Sequence, residues 1–195
     1  MKSKLGPQRI MFPLPTALVV AGNMERSNII TIAWINMLTG LPPTLGVSIG
    51  SKGYSAELIK KNKDFSVNLA SVEIMREADF CGITSGEEVD KFSATGLTKI
   101  PSDKIHSPII QECPVNIECK LVETRMTGRT HQLVGEILQT HVDEDKIRDT
   151  KRPDSIDILS INPLIYYSRA REYWALGRKV GDAYKIGYEL KQRND

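Results

Sequence analysis

From Leu45 to Gly50 the chain alternates strictly. Leu45, Val47 and Ile49 are apolar, while Gly46, Ser48 and Gly50 are small or hydroxylated. A period of two puts the large side chains on one face of a strand and leaves the other face nearly flat. Phe65, Val67 and Leu69 alternate with Ser66, Asn68 and Ala70 in the same way. Between these strands lies Ser51-Lys52-Gly53-Tyr54-Ser55, a hydroxyl-rich turn that opens a helical segment. Strand, polar turn, short helix and strand within so few residues leave little room for any other arrangement.

The rest of the chain repeats the theme. Thr16 to Val20 is a compact apolar run that ends at the turn signal Gly22-Asn23. Ile29 to Ile35 is β-branched and apolar on both faces, which predicts a buried central strand. Ile117, Cys119 and Leu121 alternate with Glu118 and Lys120, as in a half-exposed antiparallel strand. Residues 132–140 follow the hairpin-type turn Thr127-Gly128-Arg129, and Ile156 to Ile161 predicts a further short strand. Helical signals are fewer. Ser55 to Lys61 has a serine at its start, Glu57 early and Lys60 and Lys61 late, as the helix dipole prefers. Val72 to Phe80 and Glu87 to Ala94 are shorter candidates, and the region from Arg171 onward predicts a partly helical arm. The expected architecture is mainly β with inserted short helices: a closed or partly closed antiparallel barrel. One domain spans 1–195, with 171–195 as a C-terminal arm.

Composition removes several classes of function. A net charge of +2 in 195 residues gives no strong pull toward nucleic acid or an anionic membrane. No apolar run approaches the roughly 20 residues needed to span a bilayer. The start of the chain has no long apolar segment of the signal-peptide kind, so the cytoplasm is the expected location. Three cysteines without a C-x-x-C do not predict a disulfide framework. His106, Cys113 and Cys119 match no common zinc-ligand spacing, so no metal is expected.

Three segments carry candidate chemistry, each beside a plainer reading. In the turn at 48–55, Ser48, Ser51 and Ser55 offer hydroxyls and Lys52 a charge. Gly50 and Gly53 allow close backbone approach, and the N–H groups of the following helix suit an anion. The plain alternative is a polar loop with a capping serine. In Asn28-Ile29-Ile30-Thr31-Ile32-Ala33-Trp34, small Ala33 between Thr31 and Trp34 suits an apolar slot for a flat heteroaromatic ring. A core strand with a structural tryptophan fits equally. The loop Cys81-Gly82-Ile83-Thr84-Ser85-Gly86, followed by Asp90-Lys91-Phe92, offers a thiol, a hydroxyl and an amine near tight glycine geometry. A buried cysteine and a capping loop are the alternative.

In order, N-x-x-T-x-A-W, P-P, S-x-G-S-K-x-Y-S, F-S-V-N and C-G-x-x-S-G-x-x-x-D-K-F resemble the flavin reductase-like family, and flavoredoxins within it. The resemblance runs from about Phe12 to about Gly187. It implies an FMN-binding split β-barrel of antiparallel Greek-key type, working as a homodimer with the flavin near the interface. Carried over by position, Asn28, Thr31, Ile32, Ala33 and Trp34 would line the ring and ribityl chain. Ser48, Ser51, Lys52, Tyr54 and Ser55 would hold the phosphate. Asn68 would meet the ribityl or ring edge, and Cys81, Gly82, Ser85 and Lys91 would close over the site. His131 matches a histidine near the nicotinamide side. Lys52 stands where many members have arginine, and a lysine lacks the bidentate fork.

The implied activity is electron transfer from NADH or NADPH through bound flavin to free flavin, a ferric complex or a protein partner, with no essential catalytic side chain. With no G-x-G-x-x-G after a strand, the nicotinamide would meet the flavin's open face without a Rossmann domain of its own. Two rival readings stand beside it. One is an FMN-binding electron carrier with no NAD(P)H activity. The other is a barrel that binds single-stranded nucleic acid, against which the near-neutral charge argues.

Overall fold

The computed structural model describes residues 1–50, 53–152 and 154–188. The strands are β1 (Leu14–Pro15), β2 (Ala17–Gly22), β3 (Ser27–Ile32), β4 (Ile35–Gly40), β5 (Pro43–Gly50), β6 (Asp64–Leu69), β7 (Lys99–Ile100), β8 (Ile109–Ile110), β9 (Val115–Thr127), β10 (Thr130–Val142), β11 (Ile165–Tyr167) and β12 (Glu172–Trp174). The helices are α1 (Tyr54–Asn62), α2 (Met75–Ile83), α3 (Lys91–Thr95) and α4 (Ile158–Ile161).

Seven strands form one antiparallel sheet in the order β3-β2-β6-β9-β10-β5-β4. Its two edges, β3 and β4, are consecutive in sequence and joined only by Ala33 and Trp34. Three peptide steps span at most about 11 Å, so the sheet must curl until its edges nearly meet. The ladder stays open at that seam. At the corner the β4–β5 ladder runs one residue further: the Ser48 backbone N–H donates to the Trp34 carbonyl at 2.9 Å. The result is a barrel split along one line, as the strand spacing and the family resemblance lead one to expect.

Strand β2 is buried on both faces, and its alternate residues serve two cores. Ala17, Val19 and Ala21 point into the barrel, where they meet Leu45, Val47, Ile49, Phe65 and Leu133. Helix α1 contributes Ala56 and Ile59 to that interior. Leu18 and Val20 face outward beneath α2 and α3, against Ile74, Ala78, Cys81 and Phe92. Gly135 is forced by the packing: a Cβ there would lie 2.6 Å from Phe65 Cζ and 2.9 Å from Cys119 Cβ.

Two buried carboxylates fasten the 102–107 loop to the sheet. Asp64 accepts from the backbone N–H of His106 and Ser107 and from the Ser107 hydroxyl. Glu118 accepts from the N–H of Asp103 and Lys104, and His141 Nε2 lies 2.6 Å from its Oε1.

Several expectations change. Ile29 to Ile35 is an edge strand broken at the Ala33–Trp34 corner; burial by α2 and α3 gives it the two-sided apolar pattern of a central strand. Ile156 to Ile161 makes one bridge and then the short helix α4, which Asp157 caps by accepting from the Leu159 N–H. Helix α1 starts after Gly53 with no side-chain cap, and Ser55 lies inside its first turn. In the arm, Glu172–Trp174 pairs as β12 in a small sheet of order β1-β11-β12. Ser51, Lys52 and residues 189–195 of the expected arm lie outside the described residues. Among the described residues no helix is long and apolar enough to cross a membrane.

Candidate functional site

A cavity of about 380 Å³ opens at the seam. Thr31, Ile32, Ala33 and Trp34 form one wall, Ser48 of β5 sits beside them, and Gly82 and Ile83 of α2 close one end. The C-terminal hairpin supplies Tyr166, Arg171 and Tyr173. Each wall has a local cause. The corner turns the strand, so Trp34 leaves the core and is 45% exposed. The Thr31 hydroxyl donates to the Ala78 carbonyl and anchors α2 to β3. A Cβ on Gly82 would sit 3.3 Å from Thr31 Cβ, so glycine lets helix and strand approach. Tyr173 donates its hydroxyl to Asp79 at 3.0 Å, and burial with the nearby carboxylate pushes its ionisation well above the usual phenol range.

Thr16 also lines this cavity, and its buried Oγ1 has no hydrogen-bond partner among the described residues. An orphaned hydroxyl in the wall of such a slot suits the polar edge of a bound heteroaromatic ring.

A smaller pocket of about 150 Å³ shares Gly82 with the first. It lies at the start of α1 and is lined by Asn28, Gly53, Tyr54, Ser55, Cys81, Ser85, Gly86 and Lys91 among others. The Asn28 amide donates to Ser55 Oγ at 2.8 Å. Lys91 is buried and donates to the carbonyls of Ile29 and Cys81 at 2.8 and 2.7 Å. An ammonium has three donors, so one remains, and no carboxylate pairs with it among the described residues. Burial lowers its pKa, which an anion in the pocket would reverse. Burial pushes the Cys81 thiol up to about 11, so at neutral pH it is an unreactive thiol.

The residues expected from sequence therefore divide. Thr31, Ile32, Ala33, Trp34 and Gly82 line the larger cavity, and Ser48 lines it as well. Asn28, Tyr54, Ser55, Cys81, Ser85 and Lys91 line the smaller pocket, with Gly82 common to both. Asn68 lies elsewhere. It is fully buried, donates to the Leu18 carbonyl and the Ser66 hydroxyl, and accepts from the Ile110 N–H and the Asn116 amide. His131 lies outside both cavities, with Nε2 3.5 Å from Lys60 Nζ on α1. The zinc set is dispersed: His106 meets Asp64, while Cys113 and Cys119 sit in different cores. Asp103, Glu118 and His141 bring three ligand-type atoms within 4.8 Å of one another, but Glu118 already serves the loop. Thr16, Asp79, Tyr166, Arg171 and Tyr173 carry no local sequence signal for the site, because the fold brings them there from distant segments.

A split antiparallel barrel with a ring-sized slot at the seam, next to a polar pocket at a helix start, is the arrangement of a flavin-binding split barrel. The chain belongs to the flavin reductase like domain family, whose sequence model matches residues 9–175. The flavoredoxin of Desulfovibrio vulgaris (Miyazaki F) is 34% identical with a TM-score of 0.88, over 96% of this chain and 100% of that one. A flavoredoxin from Methanosarcina acetivorans is 30% identical with a TM-score of 0.90, over 97% and 99%. An FMN-binding protein from Thermus thermophilus shares the fold at 24% identity and a TM-score of 0.76, over 93% and 99%. The donor set fits a flavin: a slot with the Thr16 hydroxyl at its wall, then a pocket with a buried ammonium that no carboxylate pairs among the described residues, and a helix start without a side-chain cap.

Proposed function

We propose that the protein is an FMN-dependent oxidoreductase that takes electrons from NADH or NADPH and passes them to a small acceptor or a protein partner. The observation that carries this reading is that a ring-sized slot and a polar pocket at a helix start both border Gly82, which suits a flat ring joined to an anionic tail. FMN, when bound, supplies the redox chemistry by accepting a hydride and releasing electrons singly or in pairs.

The chain's own residues do the rest. Ala33 and Gly82 leave width for a ring, and Trp34 and Ile32 give it apolar contact. Thr16 and Ser48 offer hydroxyls to its edge. Lys91, the first N–H groups of α1 and the Asn28–Ser55 pair favour a phosphate at the other end. Lys52, two residues before α1 in sequence, adds a second positive charge in this reading. The exposed Met37, Leu38 and Leu41, on and just beyond the edge strand β4, support a homodimer, for which light scattering at several concentrations is the check.

The deciding experiment is anaerobic mixing of FMN-loaded protein with NADH and with NADPH. Bleaching of the flavin band by either is expected. No bleaching with both would leave an electron carrier without NAD(P)H activity. A chain that purifies colourless and takes up no added FMN would remove the flavin reading altogether. For the tail, Lys52→Ala with Ser55→Ala is expected to weaken FMN far more than riboflavin; equal losses would show that neither residue serves the phosphate.

A further inference from the structure

Away from the slot, the outer face of β9 and β10 gathers a second set of chemically capable side chains. In the β9–β10 ladder Ile137 lies opposite Cys119, but Gln139 lies opposite Glu118, so Leu138 is an extra residue, a β-bulge. Successive side chains of a strand alternate between its faces, and the extra residue reverses the phase of β10 beyond it. His141, opposite Asn116, therefore shares the face of Glu118. Without the bulge it would share the face of Cys119, which belongs to the barrel interior. His141 Nε2 lies 2.6 Å from Glu118 Oε1. Asp103, on the 102–107 loop, completes the group: one ligand-type atom from each of Asp103, Glu118 and His141 lies within 4.8 Å of the other two.

Glu118 is fully buried and serves the loop with only part of its capacity. Its Oε1 accepts from the Asp103 N–H at 2.8 Å and its Oε2 from the Lys104 N–H at 2.7 Å. An ionised carboxylate offers about four lone-pair sites. No lysine or arginine pairs with Asp103 or Glu118 among the described residues. With a neutral imidazole the three side chains carry two negative charges toward one point, and buried charges of this kind are paired or hold a metal. One imidazole nitrogen with two carboxylate oxygens suits a first-row divalent ion, whereas magnesium and calcium prefer oxygen alone. Two ligand atoms on one tetrahedral zinc stand about 3.4 Å apart. The imidazole has only to back away from Glu118 by less than about 1 Å to reach that spacing, and its side chain is 30% exposed, which leaves it room.

We propose that Asp103, Glu118 and His141 form a binding site for a first-row divalent metal ion such as Zn²⁺, which clamps the 102–107 loop onto β9 and β10. Water fills the remaining position, since three protein ligands leave a tetrahedral ion one short. None of the three residues lines the slot or the pocket at α1, so the ion is structural and stands apart from the ring site. The set shares no residue with His106, Cys113 and Cys119. A chain that bound no flavin would carry the same site.

The test is calorimetric titration of the full-length protein, stripped with a chelator, with ZnCl₂ and with MgCl₂, in the presence and absence of FMN. One Zn²⁺ per chain is expected, with a Kd below about 0.1 mM, and much weaker Mg²⁺. Asp103→Asn and His141→Gln each remove one donor while the loop's backbone bonds to Glu118 stay in place. Each is expected to weaken Zn²⁺ at least about tenfold, the low end of what losing even an outer partner of a metal ligand costs. Hydrogen exchange on the unaltered chain needs no variant: Zn²⁺ should slow the Asp103 and Lys104 amides and leave those of α1 unchanged. A Zn²⁺ Kd above about 0.1 mM, unchanged affinity in both variants, or unchanged exchange at Asp103 and Lys104 would overturn the proposal. Mg²⁺ binding as tightly as Zn²⁺ would overturn the assignment to a metal that prefers imidazole. Zn²⁺ binding through these residues in a chain that takes up no FMN would refute the flavin reading and uphold this one.

Discussion

The Asn28 side chain donates to the Ser55 hydroxyl at 2.8 Å, tying β3 to the first turn of α1 across 27 residues of sequence. Gly86 packs on the same amide, where a Cβ would lie 2.0 Å from Asn28 Oδ1. Three segments thus meet at one buried amide. Asn28→Ala would leave the Ser55 hydroxyl without this donor and is expected to cost about 1–3 kcal/mol. A lowered urea midpoint at unchanged slope is the measurement; no shift would show that the pair adds nothing to the fold.

Thr16→Val should act with opposite signs on the empty and loaded protein. Valine has nearly the same shape and removes a buried hydroxyl that has no partner among the described residues. The flavin-free chain is expected to gain about 1 kcal/mol. Flavin affinity is expected to fall about tenfold, the equivalent of one hydrogen bond. Thermal midpoints with and without FMN read both effects, and a gain in both would remove Thr16 from the site.

Gly82→Val places a branched side chain at the one residue that lines both cavities, and where even a Cβ would lie 3.3 Å from Thr31. Loss of bound flavin is expected, seen as loss of the visible absorption band on gel filtration, with the far-ultraviolet dichroism retained. Full flavin occupancy in this variant would mean that no ligand runs through that junction.

At Gly135 the prediction concerns the barrel alone. Gly135→Ala would press a methyl group against Phe65 and Cys119 inside a filled interior. A loss of about 1–3 kcal/mol is expected from such overpacking, with chemical denaturation as the check.

Cys81 should resist alkylation at neutral pH. Its thiol is pushed up to about 11 by burial, so the reactive thiolate forms only in strongly alkaline solution. Cys119 is pushed up to about 12 and Cys113 is raised as well, also by burial. Iodoacetamide is expected to label the native chain slowly and the urea-unfolded chain fast. Rapid native labelling at Cys81 would show that the region around α2 opens readily.

The strands were legible where alternation is strict, as at Leu45–Ile49 and Phe65–Leu69, because a period of two has no other cheap structural solution. The break at Ala33–Trp34 was not, since it interrupts an apolar run without a glycine or proline. It exists because the sheet must bend there. The slot wall from Thr31 to Trp34 could be read from one continuous segment. The opposite wall could not: Asp79 and Tyr173 lie 94 residues apart and meet through a single hydrogen bond. Asn68 misled for the reverse reason. An asparagine on an alternating strand looks available, but here its amide holds together β2, β6, β8 and β9, and nothing local in the sequence announces that.

The Ala33–Trp34 corner has a consequence for how such a site changes over time. The aperture of the seam is set by counting peptide units, and side-chain identity hardly enters. Substitutions around the slot can therefore alter what is bound and how tightly while the opening keeps its dimension. A single inserted residue between Ile32 and Ile35 would do the reverse, changing the gauge of the site while leaving every lining side chain in place.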